Sequence, residues 1–468
     1  MVKQCGMGLL VLAVLAAAAG AQDVGFEQRR QQIEERVRIE LEPVAPSEQR
    51  ALVEWGGWLR VASELFDDVL RRDRTVHTGD LRLWVRLKID HVSDIYLRVR
   101  TGWELWNGLD SFDGDNSDFV EPRLDRGWLN INLSAAAKRY HNKDVDPLVE
   151  LKIGRQYVML GMGLSLSLPL DALQLRFTSE SWELTGLVAW LIADTDNIDT
   201  SVPGFKHSRR LFIGGQVRYL GFSHHRPFAY IYSQHDHSGE TPEDFLQEYK
   251  YNSTYVGLGC TGTLGVPDLR YDLEWVYEFG RSFGWGSGGP DDISASALGV
   301  QLSYTCNNTP TRPKFSFEYL WATGDKDRIY SPTNAVGGNL PGTTDGSFSA
   351  FGYRDTGYEF APRISNLHMW RFGATFFPFE KCSVECLRDL ELGFNWYIYR
   401  KDVADAAVSD YTESRINSDL GHELDVHLIW RITSDVKLDF RFGHFMPGDA
   451  FSNQGPRRYM YWGVTYTF

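Results

Sequence analysis

From Asp80 to Leu105 the chain alternates between apolar and polar residues with a period of two. Leu81, Leu83, Val85, Leu87 and Ile89 share one parity, and Asp80, Arg82, Trp84, Arg86, Lys88 and Asp90 share the other, which describes a strand with two unlike faces. A turn over His91–Asp94 leads into a return strand. There Ile95, Leu97, Val99, Trp103 and Leu105 stand opposite Tyr96, Arg98, Arg100 and Glu104. The predicted hairpin has a greasy side and a basic side. In a water-soluble sandwich the greasy side would face a second sheet; in a transmembrane barrel it would face lipid and the basic side an aqueous lumen.

The rest of the chain decides between the two. Strands are predicted to start near Trp55, Leu81, Ile95, Trp128, Leu148, Leu173, Trp182, Leu211, Phe228, Tyr255, Leu269, Ile293, Phe315, Leu367, Leu390, Leu424, Val436 and Tyr459, about eighteen in all. Alternation is clean in several, such as Leu269, Tyr271, Leu273, Trp275 and Tyr277 against Arg270, Asp272, Glu274 and Glu278. The connections alternate too. Long polar segments (Asn107 to Glu121, Asp194 to Ser208, Asp236 to Tyr251, Asp325 to Arg363, Lys401 to Asp419) are separated by short links at His91–Asp94, Ser179–Ser181, Gly265–Pro267 and Ser434–Asp435. Long external loops and tight periplasmic turns produce this rhythm in an outer-membrane barrel. The link Ala135 to Pro147 is longer than that scheme prefers.

Both termini agree with a barrel. Lys3 precedes an apolar run from Met7 to Ala19, and Ala19-Gly20-Ala21 offers a small-residue cleavage site before Gln22. The run is shorter than the roughly 20 residues of a spanning helix, so residues 1–21 are expected to be a secretory signal peptide. Residues 22–50 read as a periplasmic extension with a short charged helix ended near Pro43, and 51–468 as the barrel. Tyr461-Trp-Gly-Val-Thr-Tyr-Thr-Phe468 looks like the terminal strand signal read by the barrel-assembly machinery. The expected fold class is therefore all-β: an antiparallel transmembrane barrel in the bacterial outer membrane.

Composition narrows the function. Aromatic residues make up 14% of the 468, with 15 tryptophans, and those near strand ends suit interfacial girdles. The formal net charge of −14 argues against nucleic acid as a partner. Four cysteines follow the leader, Cys260, Cys306, Cys382 and Cys386. The last two are near enough to pair locally or to stand as free thiols, and no spacing resembles a zinc site. His422 and His427 lie near Glu423 and Asp425, but no serine motif completes a hydrolytic triad. A channel is expected rather than an enzyme, with no cofactor.

The chain resembles the alginate export porins, a family of eighteen-stranded outer-membrane barrels that pass an anionic uronate polymer. The resemblance rests on Arg126-Gly-Trp-Leu-Asn-Ile-Asn132 with Leu151-Lys-Ile-Gly-Arg-Gln156, on Trp321-Ala-Thr-Gly-Asp-Lys-Asp327, on Tyr358-Glu-Phe-Ala-Pro-Arg-Ile-Ser-Asn-Leu367, and on Asp439-Phe-Arg-Phe-Gly-His-Phe-Met-Pro-Gly-Asp-Ala-Phe451. It implies a pore lined by arginines, a role that motif match carries to Arg126, Arg363 and Arg441. Alternation adds Arg82, Arg86, Lys88, Arg98, Arg100, Arg176 and Lys437 to the lumen face. Arg155 shares the parity of Leu151 and Ile153, so only a kink at Gly154 would turn it inward. Trp84 and Tyr96 are expected to stack on sugar rings, and wall carboxylates such as Glu104 to act as counterions. Asp272, Glu274, Glu278, Glu318, Glu391, Glu423 and Asp425 are acidic candidates for the same lumen.

The chain departs from the family at two points. Asp439 stands where the family tends to have a second basic residue, and the family's long periplasmic turn shrinks to Thr433-Ser-Asp-Val436. Any plug must then come from elsewhere, such as residues 24–50 or the loop Asp325 to Arg363. The expected partners are an anionic polysaccharide or oligouronate, outer-membrane lipid, the barrel-assembly machinery and periplasmic export components. The alternative reading is a general or anion-selective diffusion porin.

Overall fold

The computed structural model describes residues 51–468 apart from 69, 71, 113, 193–207, 238–249, 284–289, 329–338 and 411. The predicted signal peptide and periplasmic extension lie outside the described residues. Eighteen long strands follow one another: β1 (Ala51–Asp67), β2 (Asp73–Ile89), β3 (Ser93–Trp106), β4 (Ser117–Asn132), β5 (Leu148–Met159), β6 (Leu166–Thr178), β7 (Trp182–Leu191), β8 (Arg210–Tyr219) and β9 (His225–Asp236). They continue with β10 (Asn252–Thr263), β11 (Leu269–Phe283), β12 (Pro290–Thr305), β13 (Lys314–Ala322), β14 (Leu367–Phe376), β15 (Leu390–Arg400), β16 (Asp419–Arg431), β17 (Val436–Pro447) and β18 (Arg457–Thr467). Each pairs antiparallel with the next, and β18 pairs with β1 from Trp58↔Thr467 to Phe66↔Tyr459. The sheet closes into a barrel, which leaves no free lateral edge at the seam. Each predicted strand start falls within one of these strands, although β4 begins at Ser117, inside what the sequence read as a loop.

Alternation sets the two faces. Exposed apolar residues such as Leu83, Val85, Leu97, Val99, Leu173, Leu175, Phe372, Phe394, Trp396, Trp462 and Val464 form an outer belt. Trp55, Trp182, Tyr304, Phe315, Phe376, Tyr466 and Phe468 are exposed at the end that carries the tight turns. This is the lipid-facing band with an aromatic girdle that a membrane barrel requires. The opposite parity points inward and is largely buried.

Two connections at the tight-turn end hold helices. The long link after β4 contains α1 (Leu133–His141), whose N-cap Asn132 accepts the Ala135 N–H and whose chain turns out through Asn142 in the left-handed region, φ 49°. A short α2 (Glu385–Arg388) precedes β15. Cys382 and Cys386 flank its start as free thiols, as are Cys260 and Cys306.

The far-end connections are less uniform than the predicted rhythm. The links at 68–72 and 160–165 are short, and the second leaves the wall. β5 pairs with β4 only as far as Gly127↔Arg155, and β6 with β7 only as far as Leu170↔Leu191. The tip of the β5–β6 hairpin leans into the barrel, where Val158, Leu160, Leu164 and Leu166 are almost wholly buried. Part of the connection from β13 to β14 lies beside it, with Phe351 and Gly352 pairing parallel to Leu166 and Ser167 of β6.

Candidate solute path and internal constriction

Inward positions of β1–β4 bring five guanidiniums together. Asp80 bridges Arg60 (3.5 Å), Arg82 (2.9 Å) and Arg100 (3.0 Å). Asp125 bridges Arg82 (3.2 Å), Arg98 (2.5 Å) and Arg126 (3.6 Å). Five arginines and two aspartates carry a formal +3, held by charge-assisted hydrogen bonds that burial strengthens. The Trp58 ring faces Arg98 and Arg82, with the guanidinium carbons 5.3 and 5.7 Å from its centroid, a cation–π geometry.

Asp125 is in this cluster because of a bulge. Arg98 pairs with Arg126 but Val99 pairs with Leu124, so Asp125 is an extra residue with no partner across the ladder. Consecutive residues 125 and 126 therefore both reach the cluster. Strict alternation places Asp125 outside, which is why the sequence reading missed it. Arg60 is hard to foresee because its parity on β1 also carries Trp58, Ala62 and Phe66, so this strand shows no cleanly polar face. Asp80 and Asp125 are counterions of this cluster, a role the sequence had illustrated with Glu104.

Nearer the tight-turn end the basic residues continue, each beside a carboxylate. Arg86 grips Asp94 with two bonds, Nε–Oδ1 at 3.0 Å and Nη2–Oδ2 at 2.7 Å. Lys88 lies 3.5 Å from Glu54, and Arg176, half exposed, lies 4.0 Å from Glu150. On β17, Lys437 faces inward, and Arg441 is buried against Asp439 through bonds of 3.0 and 2.9 Å. Arg363 stands apart on the β13–β14 connection, where its backbone N–H donates to the Ser409 hydroxyl at 3.0 Å. Gly154 does adopt φ 125°, yet Arg155 keeps its outward parity. It bonds Asp171 at 2.8 and 3.0 Å, whose cross-strand neighbour Trp190 is exposed on the outer face.

Trp84 and Tyr96, expected to stack on sugar rings, are grouped with a third ring. Trp84, Tyr96 and Trp128 stack on one another across three strands, with centroids 6.2 and 5.5 Å apart and planes within 22° and 20°. The Lys152 ammonium covers Trp128 at 4.2 Å, and Trp84 leans over the space that Gly56 leaves. The three rings form one aromatic row across this wall, at separations within the usual range for aromatic pairs.

The opposite wall holds the constriction. Glu274 accepts the N–H groups of Met162 (2.9 Å) and Leu164 (3.4 Å) and the Tyr230 hydroxyl (2.6 Å). It thereby fixes the β5–β6 tip. Glu278 accepts Ser349 N–H at 2.8 Å and the hydroxyls of Tyr251 and Tyr255 at 2.5 and 2.7 Å. Glu318 pairs with Arg354 of the connection at 2.6 Å and with Arg371 of β14. Glu423 accepts three successive N–H groups, from Tyr358 (2.6 Å), Glu359 (2.6 Å) and Phe360 (2.9 Å). Leu160, Leu164, Phe348, Phe351, Phe360 and Ile364 of the inward segments pack on Phe212, Tyr232, Val276, Leu320, Tyr399 and Phe445 of the wall. The barrel thus has an apolar core of its own, and the loop from Asp325 to Arg363 is one of the two segments that the sequence proposed as a plug. The companion segment, the β5–β6 tip, went unforeseen. Its only signal was the apolar run Leu160-Gly-Met-Gly-Leu-Ser-Leu166, which is too hydrophobic for an exposed loop.

The histidine cluster considered for catalysis is split by the wall. Glu423, Asp425 and His427 face inward, with His427 3.2 Å from Glu391, while His422 is exposed on the outer face.

A closed eighteen-strand barrel with a lipid-facing belt and a folded-in constriction is a channel of the outer membrane. The chain belongs to the alginate export family, whose model matches residues 56–465. Solved structures of similar fold include three porins of Pseudomonas aeruginosa: OccK8 (OprE), at 12% identity and TM-score 0.54, covering 89% of this chain and 98% of that one; OccK5 (OpdH), at 12% and 0.52, covering 89% and 98%; and OccK3 (OpdO), at 12% and 0.51, covering 89% and 96%. No curated protein matches the chain significantly.

Proposed function

We propose that this outer-membrane channel is passive and carries an anionic polysaccharide of the polyuronate type, or its fragments, along the basic wall of β1–β6. The observation that carries the reading is the arginine cluster around Asp80 and Asp125, continued toward the periplasm by Arg86, Lys88 and Arg176. A solute carboxylate can exchange with a wall carboxylate one contact at a time. Each guanidinium contact replaces part of the hydration shell and is weak enough for the next sugar to displace it. Catalysis has no part in this reading, because His422 is separated from Glu423, Asp425 and His427 by the barrel wall. We also assign residues 1–21 to a signal peptide cleaved before Gln22, insertion to the barrel-assembly machinery, and delivery of polymer to periplasmic export components.

A second reading, a general or anion-selective diffusion porin, is favoured by the same carboxylates, since Asp80, Asp94, Asp125, Glu54 and Glu150 each offset a basic residue. Ion selectivity of the purified protein in a planar bilayer, with and without oligouronates, separates the two. A polyuronate channel is anion-selective and blocked by oligouronates from the periplasmic side. Weak selectivity without block supports the general porin.

A further inference from the structure

On the outer face, the far ends of β14–β18 carry a row of basic residues above the apolar belt. His368, Arg400, His422, His444 and Arg458 all have the outward parity of their strands, with Arg400, His422 and Arg458 exposed. They are neighbours across the sheet. His368 is directly opposite Arg400, and His444 is directly opposite Arg458. His422 lies opposite Ile398 and Met446, so His444 is its diagonal neighbour, about 7–8 Å away in a regular sheet, while Arg400 stands two residues beyond Ile398, across a register shift that pairs it with Asp419. Below each, the same parity continues as apolar or aromatic side chains: Trp370 and Phe372, Trp396 and Phe394, Leu424 and Val426, Phe442 and Phe440, Met460 and Trp462.

Among the described residues, the carboxylates that bond members of the row stand at its margins. Asp402 meets His368 at 3.2 Å, and Asp67 accepts the backbone N–H of Arg458 at 2.8 Å. Asp419, across from Arg400, turns to the N–H of Gly421 on its own strand at 3.1 Å. Among the described residues, neither the Arg400 guanidinium nor the rings of His422 and His444 make an ion pair. His368 is already held by Asp402 and by the Tyr319 hydroxyl at 2.9 Å, so the donors left to face outward are the Arg400 guanidinium and the rings of His422 and His444, beside the exposed Arg458, at the level where the apolar belt ends.

We infer that this row is a binding site for the phosphate groups of the outer-leaflet glycolipid, which is a phosphorylated lipid with several acyl chains. Arg400 and Arg458 act as the phosphate forks and the histidines between them as N–H donors, while the aromatic columns take the acyl chains. The inference rests on the outer-membrane location and is independent of the solute.

The test uses the full-length barrel in detergent, with purified bisphosphorylated lipid A, its monophosphorylated form and its dephosphorylated form as probes, and counts bound lipid by native mass spectrometry. The wild type is expected to retain the bisphosphorylated form at least tenfold more strongly than the dephosphorylated one. The double variant Arg400→Glu/Arg458→Glu should lose that preference, whereas Arg281→Glu, on the outer face of β11, should keep it. If the double variant does not fold, the wild-type comparison of the three lipids decides alone. Equal retention of all three lipids by the wild type, or undiminished preference in the folded double variant, would overturn the site.

Discussion

The backbone N–H of Tyr358 donates to the carboxylate of Glu423 at 2.6 Å, joining residues 65 positions apart across the inside of the barrel. Glu359 and Phe360 donate to the same group, so one side chain caps three successive amides of the inserted connection. Hydrogen bonds to a charged acceptor contribute about 1.5–3 kcal/mol each. Glu423→Ala is accordingly expected to loosen the segment around Tyr358 while leaving the wall intact, since β16 keeps its ladder to β15 and β17. Single-channel recordings should show a larger and noisier open conductance than the wild type. A conductance trace indistinguishable from the wild type would mean that this contact does not set the constriction.

The membrane placement has its own check. A closed barrel with an apolar belt should resist detergent until boiled and fractionate with the outer membrane, and mass measurement of the mature protein should begin at Gln22. Soluble periplasmic material that migrates identically with and without boiling would contradict the architecture.

Phe468 is expected to direct assembly more than it stabilises the finished barrel. Its backbone N–H and C=O pair with Gly57 at 3.0 and 2.9 Å, while half of the residue's surface is exposed. Phe468→Ala leaves that pairing in place. The variant is expected to reach the membrane in reduced amount, yet the molecules that do insert should convert from folded to unfolded mobility at the wild-type temperature. Normal insertion kinetics would remove the assembly-signal role.

Arg441 illustrates where alternation informs and where it misleads. Its parity correctly put it inside with Lys437 and Asp439, but parity says nothing about partners, and the bidentate pair with Asp439 is local and buried. Removing one member of a buried ion pair strands the other, at a cost of about 3–5 kcal/mol. Arg441→Ala should therefore lower the temperature of the gel-mobility shift markedly and change oligouronate block little. The reverse pattern would make Arg441 a solute contact.

Strand count, faces and the closure of the barrel were legible because a half-buried strand must alternate, and this signal repeats along the chain. What alternation cannot encode was not legible. The bulge that brings Asp125 beside Arg126 is a local break in the period. The departure of the β5–β6 tip from the wall depends on Glu274, more than 100 residues away in sequence. The mutual stacking of Trp84, Tyr96 and Trp128 needs a register between three strands before it can be seen. In each case the missing information is a tertiary relationship between segments whose own patterns look ordinary.

The arginine cluster makes the sharpest prediction, because its geometry opposes two outcomes. Arg98 and Arg100 each donate to a carboxylate already in place, Asp125 at 2.5 Å and Asp80 at 3.0 Å. If those carboxylates are permanent partners, the cluster is a structural knot. If solute carboxylates compete for the same guanidiniums, Asp125 is the member they would displace first. Its side chain is the most exposed of the seven, at 14% against 1% for Arg98, and as a bulged residue it can turn away without breaking the ladder. Asp125→Asn keeps the size of the side chain and removes its charge, so the competing solute should gain. Anion selectivity should rise, and half-block by oligouronate should need about tenfold less, equivalent to roughly 1.4 kcal/mol. Arg98→Glu with Arg100→Glu should shift selectivity toward cations and abolish block, provided heat-modifiable mobility shows that the barrel still forms. A folded reversal variant that keeps both its anion preference and its block would remove the arginine route altogether, and an Asp125→Asn channel with unchanged block would mark the cluster as a fixture of the wall.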